Sequence, residues 1–236
     1  MKQSIRGVVL GRTAYSETSF IVTLLTADSG LQTYLFQGAR KKKGVVLFPL
    51  APVECEIYQR SDSSMPKMTS CELAESITDL PFHPVKSSIA FFLAEIIQKT
   101  VQKGHPETGL LEFLWAEIAF LEHSEELANY ILWYLAAYTK FMGITPSVET
   151  AEPRVFDVLG GKLQDLRPAH PAYYEGEELH WLETFLLADK SLALAAKIPT
   201  AARARLLDIW LSYYGQHLQG LNQLKSLDVI RTVLHG

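Results

Sequence analysis

The sequence predicts an α+β chain, with a β-rich front over residues 1–80 and a helical rear over 81–236. Three observations carry this. Apolar residues alternate with period two in the front and recur with period 3.6 behind it. Two prolines, Pro81 and Pro84, stand where the period changes and disfavour a continuous element across that point. The charge also divides: residues 1–50 carry seven Lys or Arg against Glu17 and Asp28, a net of +5, while the rest of the chain carries −9. A basic front on an acidic body suits one surface for a polyanion and another for a different partner.

Composition narrows the class. At 236 residues, 48% hydrophobic and 20% charged, the chain reads as a globular protein of one large or two smaller domains. No apolar run reaches the roughly 18–20 residues of a membrane span. The N-terminus has no signal-like apolar stretch, because Arg6 and Arg12 bracket only a few apolar residues, so a cytoplasmic location is expected. Cys55 and Cys71 are the only cysteines; without a C-x-x-C pair they read as reduced, small apolar residues.

The elements follow in order. Ile5–Leu10 is a short β-branched run. Ser19–Thr26 and Leu31–Gln37 flank the turn Ala27-Asp28-Ser29-Gly30, a hairpin whose Asp and Ser favour turns and whose glycine tolerates positive φ. The second strand runs straight into Arg40-Lys41-Lys42-Lys43, four adjacent cations that cannot be buried. Gly44–Pro52 is an extended connector. Val53–Tyr58 alternates cleanly, and Lys67–Ser76 is the fifth strand, after a loop over 59–66. Five short strands with longer excursions after the third suit an OB-type Greek-key barrel, although an SH3-like barrel shares the same periodicity.

Behind residue 80, a helix runs to about Lys103 with Ile89, Phe92, Leu93, Ile96 and Ile97 on one face. Leu110–Leu121 is a second helix. Glu125–Met142 is a third, apolar on nearly all sides and so central in its bundle. Residues near 147–171 break the helical pattern, and Gly160-Gly161 turns a small hairpin. Helices at Glu177–Leu187, Thr200–Leu218 and Ser226–Leu234 complete a bundle with one β insertion.

The first candidate site is the basic loop, where Arg40, Lys41, Lys42 and Lys43 are expected to meet phosphates without reading bases. Lys2, Arg6 and Arg12 extend that patch if their strand lies beside the hairpin. Tyr15, in a turn, and Tyr34, on the face it shares with Phe36, are candidates for base stacking; Phe36 itself reads as core. Glu17 more simply orders its turn. A catalytic site is not apparent. The sequence has no Walker A loop, no G-x-S-x-G and no H-E-x-x-H, and its seven histidines are scattered. His170, with Asp165 nearby, is too little for a triad or a metal site.

Several stretches together resemble the RecO family of bacterial recombination mediators. They are G-V-V-L-G-R-T-A-Y-S-E-T-S at 7–19, L-L-T-A-D-S-G at 24–30, Q-G-A-R-K-K-K at 37–43, P-L-A-P-V-E at 49–54 and L-Q-G-L-N-Q-L-K-S at 218–226. Gln37 stands where the family usually has Lys. Many members also carry four cysteines as a zinc module, and residues 147–171 contain none, so the insertion is expected to hold without metal. The resemblance implies an N-terminal OB domain, a helical C-terminal domain and no cofactor. It also implies binding to single- and double-stranded DNA, annealing of complementary strands, and work with RecR to load RecA on strands coated by single-strand-binding protein (SSB), with RecF a further partner. If the acidic, apolar SSB tail docks on the helical part, Lys140, Arg203 and Arg205 are the candidate cations, with ordinary surface charge the simpler account of each. The alternative is an OB-fold RNA or single-stranded-DNA adaptor without mediator activity.

Overall fold

β1 (Lys2–Ala14) is the strand from which the front of the molecule is assembled. Its first half pairs antiparallel with β4 (Pro52–Tyr58), and its second half pairs with β2 (Phe20–Thr26). β2 continues into β3 (Gly30–Phe36), and β5 (Lys67–Leu73) joins β3 to β4, giving a closed barrel in the order β1-β2-β3-β5-β4. Closure removes the sheet edges that would otherwise stay exposed, and this five-stranded closed order is the OB-type arrangement. The computed structural model describes residues 2–41, 47–59, 65–221 and 223–235.

The strands alternate as their sequences require. Val9, Val22, Leu24, Tyr34, Phe36, Val53, Cys55, Ile57, Met68 and Cys71 point inward and form one cluster. β1 is longer than its β-branched run because it serves two neighbours, with a register shift between Val9 and Gly11 where it passes from one to the other. The β2–β3 turn uses Gly30 at φ +56°, where a Cβ would lie 1.8 Å from the His105 carbonyl oxygen. Only glycine meets both demands.

Two helices belong to the same compact unit as the barrel, which spans residues 1–124. α1 (Pro84–Thr100) and α2 (Thr108–His123) pack on β1, and Gln98 Nε2 donates to the Leu10 carbonyl at 2.7 Å. A buried carboxylate fastens the exit from the barrel. Glu122 accepts from the backbone N–H of Thr78, Asp79 and Leu80 at 2.6–2.9 Å. Lys86, also buried, reaches Asp79 at 2.6 Å and the Glu122 carbonyl at 2.8 Å. The change of period near residue 80 therefore marks a change of secondary structure, while the compact units meet at Ser124 and Glu125.

The second unit, 125–236, is built on α3 (Tyr130–Tyr138), buried on almost every side. α3 is shorter than the apolar run Glu125–Met142 suggests. The preceding Asn129 turns its amide to the carbonyls of Leu194 and Ala196, at 3.0 and 2.7 Å, and so ties the helix start to a neighbouring loop. α4 (Leu179–Leu187), the short α5 (Lys190–Ala195), α6 (Thr200–His217) and α7 (Leu227–His235) complete the helices. Tyr214 of α6 donates to the Leu135 carbonyl at 2.6 Å, satisfying a hydroxyl that would otherwise be buried unpaired.

The insertion is a four-stranded sheet rather than a lone hairpin. β6 (Ser147–Val148), β7 (Val155–Asp157), β8 (Lys162–Gln164) and β9 (Tyr173–Glu175) stand in the order β6-β8-β7-β9. Its outer strands are too short for a period to register in the sequence. Phe156 and Leu163 are fully buried, and Phe156 packs on Tyr213 of α6 with ring centroids 5.3 Å apart. Asp157 accepts from the Gly160 N–H at 2.8 Å and faces His170 Nε2 at 3.2 Å, so His170 meets this carboxylate and not Asp165. These residues do not fit a zinc module: the region has no thiol, Asp157 is already engaged, and no group of three or more His, Cys, Asp or Glu suited to a metal occurs among the described residues. Apolar packing and the Asp157 turn hold the sheet.

Candidate nucleic-acid interface

The β1–β2 connection and the segment after β3 meet at one rim of the barrel. Tyr15 N–H and Ser16 N–H both donate to the Ser19 carbonyl, at 3.0 and 3.4 Å, folding residues 15–19 into a tight turn. Arg40, in a 3-10 turn over Ala39–Lys41, donates its backbone N–H to Thr18 at 3.2 Å, and Gly38 N–H reaches Ser19 Oγ at 3.4 Å. The chain leaving β3 is thereby pinned to the turn leaving β1.

That pinning gathers cations around one ring. Phe20 opens β2 and packs against the barrel core from its rim, opposite Phe36. The Arg12 guanidinium lies 5.1 Å from the Phe20 centroid and the Arg40 guanidinium 4.9 Å from the same ring. Arg12 reaches it because it stands opposite Val22, diagonal to Phe20 across the two strands. A ring face attracts guanidinium groups and holds their planes in place. Both arginines are exposed, and among the described residues neither is paired with a carboxylate. Two unneutralised, aromatic-supported guanidiniums suit phosphate oxygens, which they bind through charge-assisted, bidentate hydrogen bonds. Tyr15, 62% exposed on the same turn, adds an aromatic face beside them. In OB folds the β1–β2 loop and the faces of strands 2 and 3 are the usual oligonucleotide surface.

Not every expected residue joins this rim. Lys41 belongs to the 3-10 turn, while Lys42 and Lys43 lie outside the described residues. Arg6 and Lys2 sit on the other half of β1. Lys2 is ten residues from Arg12, about 33 Å of extended strand. Arg6 faces Glu54 across the β1–β4 ladder, with Nε 3.4 Å from its carboxylate, and lies 4.5 Å over the Trp115 ring. Trp115 in turn donates from Nε1 to Glu75. Arg6 is thus already neutralised at a separate cleft of about 680 Å³ between β1, the β2–β3 turn and α2.

Tyr34 is a correction. It is 1% exposed, inside the barrel, with its hydroxyl donating to Gln32 Oε1 at 3.1 Å, and burial pushes its pKa up to about 12. No ring face is presented for a base. Phe20, in contrast, is not legible as a site residue in the sequence: within a hairpin strand a phenylalanine reads as ordinary core, and only the loop that returns over it reveals its second use.

Of the cations considered for a partner on the second unit, Arg203 is committed locally. Its guanidinium donates to the Ile198 carbonyl at 2.9 Å and to Thr200 Oγ1 at 3.0 Å, bracing the start of α6. Arg205 donates to the Glu175 carbonyl at 2.8 Å and approaches Glu178 at 3.5 Å. Lys140 is exposed on a different element, past the end of α3. Among the described residues, no helix is long and apolar enough to cross a membrane.

Comparison with known proteins bears on both units. The model of the recombination protein O N-terminal domain matches residues 1–77, and that of the recombination protein O C-terminal domain matches 82–228. The chain belongs to the recombination protein O family. The RecO relatives include the DNA repair protein RecO of Bacteroides fragilis, 31% identical over 98% of both chains, and that of Phocaeicola vulgatus, 30% identical over 98% of both. The DNA repair protein RecO of Christiangramia forsetii is 25% identical over 97% of both. The RecO assignment places the chain in DNA repair and recombination, and its barrel is the RecO N-terminal domain.

Proposed function

We propose that this RecO chain is a recombination mediator that binds single- and double-stranded DNA through the barrel rim at Arg12, Tyr15, Phe20 and Arg40. The observation that carries this reading is the pair of unneutralised guanidiniums held on one aromatic ring beside an exposed tyrosine. Fixed cations at a rim track a phosphate backbone without reading its sequence, and each contact releases condensed counterions. In the sequence Arg40 is followed directly by Lys41, Lys42 and Lys43, three further cations.

Annealing follows without a catalytic residue. A cationic rim lowers the repulsion between two complementary strands while leaving their bases free to pair. The acidic remainder of the chain is left for protein partners: RecR, the SSB tail, and through them RecA and RecF. Lys140 is the cation for such a tail, since Arg203 is occupied in its own helix turn and Arg205 faces Glu178.

Annealing of complementary strands coated with cognate SSB tests the reading. Wild type should accelerate it, and Arg12→Ala with Arg40→Ala should abolish most of the acceleration. Acceleration retained in the double variant moves the site elsewhere. No acceleration by wild type on coated or naked strands, together with tight RNA binding, replaces the mediator with an RNA-binding adaptor.

A further inference from the structure

β4 and β5 bring the two cysteines of this chain together. Cys55 and Cys71 are register partners across the antiparallel pair, both point into the barrel core, and they are 1% and 3% exposed. Their place in the ladder can be read from its end. Ala74 N–H donates to the Pro52 carbonyl at 3.0 Å, which makes 52 and 74 a hydrogen-bonded pair. Antiparallel ladders alternate, so Val53 with Leu73 and Cys55 with Cys71 are non-hydrogen-bonded pairs, the close kind, with Cα atoms about 4.5 Å apart. That lies inside the roughly 4.4–6.8 Å range of disulfides, and both Cβ atoms leave the sheet on the same face.

The geometry points to Cys55 and Cys71 as the site of a reversible intramolecular disulfide, formed at the expense of a hydroperoxide. The two thiols are not equivalent. The Cys55 S–H donates to the Cys71 sulfur and draws Cys71 below its ordinary value, while the same contact and burial hold Cys55 up. Either sulfur can attack first, and the product is the same; Cys71 is taken as the first. Its thiolate attacks the distal oxygen of the peroxide and breaks the O–O bond, giving Cys71 sulfenic acid and, after proton uptake, an alcohol or water. The Cys55 sulfur then attacks the Cys71 sulfur, and the sulfenic hydroxyl leaves as water with the Cys55 proton. Two thiols and one peroxide become one disulfide, one alcohol or water, and one further water; two electrons pass from sulfur to oxygen.

The cross-link closes the loop that joins β4 to β5. In OB folds the loop between the fourth and fifth strands is one of the two that border the oligonucleotide surface. Closing a loop of this length constrains the unfolded chain and raises thermal stability, by on the order of 5 °C. A buried disulfide is also poorly reached by a bulky thiol reductant, so its reversal is slow in the folded state.

The test uses the full chain treated with hydrogen peroxide, quenched, denatured and alkylated, then read by intact mass. The expected product is a monomer lighter by two hydrogens that takes no alkyl group, and that reverts to two alkylatable thiols with dithiothreitol. Digestion should join the Cys55 and Cys71 peptides, and Cys55→Ser and Cys71→Ser should each give no such species. Two alkylated thiols after peroxide, arrest at sulfinic acid, or a cross-linked dimer would each overturn the proposal. The wild-type mass decides the matter even where a serine variant fails to fold.

Discussion

Arg6 and Arg12 stand six residues apart on one strand and have been given different surroundings. Arg6 faces Glu54 and lies over Trp115, whose indole is itself held by Glu75. Arg12 lies over Phe20, shares that ring with Arg40, and meets no carboxylate among the described residues. Both cations rest on an aromatic face, so the aromatic contact is not what separates them. The anion is. A count of basic residues in a sequence therefore overstates a phosphate-binding surface wherever the neighbouring strand supplies a glutamate.

The comparison depends on Trp115 staying beneath Arg6, and so on the clasp that holds α2 to the end of the barrel. Glu122→Leu should break it with the largest effect, a loss of about 3 kcal/mol in chemical denaturation, because three backbone N–H groups and the Thr78 hydroxyl lose their acceptor. Burial raises the Glu122 pKa, but the N–H donors of Leu80, Thr78 and Asp79 outweigh it and hold the carboxyl below its usual range. A carboxylate depressed in the folded state contributes stability that is present above its unfolded pKa and lost as the pH falls through the folded one. Wild type should lose this increment below about pH 4.3, and the leucine variant should not; parallel acid-unfolding curves would refute the assignment.

The double change Arg12→Ala and Arg40→Ala comes next. DNA affinity should fall roughly tenfold, and the slope of log K against log salt should flatten by about 2. Thermal stability should stay within about 0.5 kcal/mol of wild type, as for exposed surface changes. Arg6→Ala should show the opposite profile, a stability loss of about 1 kcal/mol from the Trp115 contact with DNA affinity within about twofold of wild type. Equal losses of affinity from the Arg6 and Arg12 changes would erase the distinction drawn between them. Glu54→Ala sharpens it with the smallest effect: freed of its carboxylate, Arg6 should steepen the salt dependence by less than about 1, measured by fluorescence anisotropy.

The barrel was legible because alternation writes itself into strands of seven residues, and the helices because their apolar stripes are long. β6 and β9, with two and three residues, carry no such signal. α5 hides between two other helices for the same reason. Of the rim, Arg12, Tyr15 and Arg40 were visible as an excess of charge and a tyrosine in a turn. Phe20 was not, since its role depends on a loop folding back from the far side of a hairpin. Tyr34 was recoverable: it stands two residues from Phe36, so a core assignment for one fixes the other on the same inward face. The engagement of Arg6 was not recoverable, because Glu54 becomes its neighbour only when β4 closes the barrel.

β1 serves two partners that the ribosome delivers at very different times. Its second half can zip to β2 almost at once, whereas Lys2–Val8 await Pro52–Tyr58, which lie 44 to 56 residues downstream. At synthesis rates of roughly 5–20 residues per second, that half-strand spends about 2–10 s as a bare edge, the form in which nascent chains adhere to one another. Lys2 and Arg6 punctuate that edge, and like charges meeting across two such strands repel. These two cations, which lie away from the rim proposed for DNA, place like charges on the half of β1 that is the last to be paired.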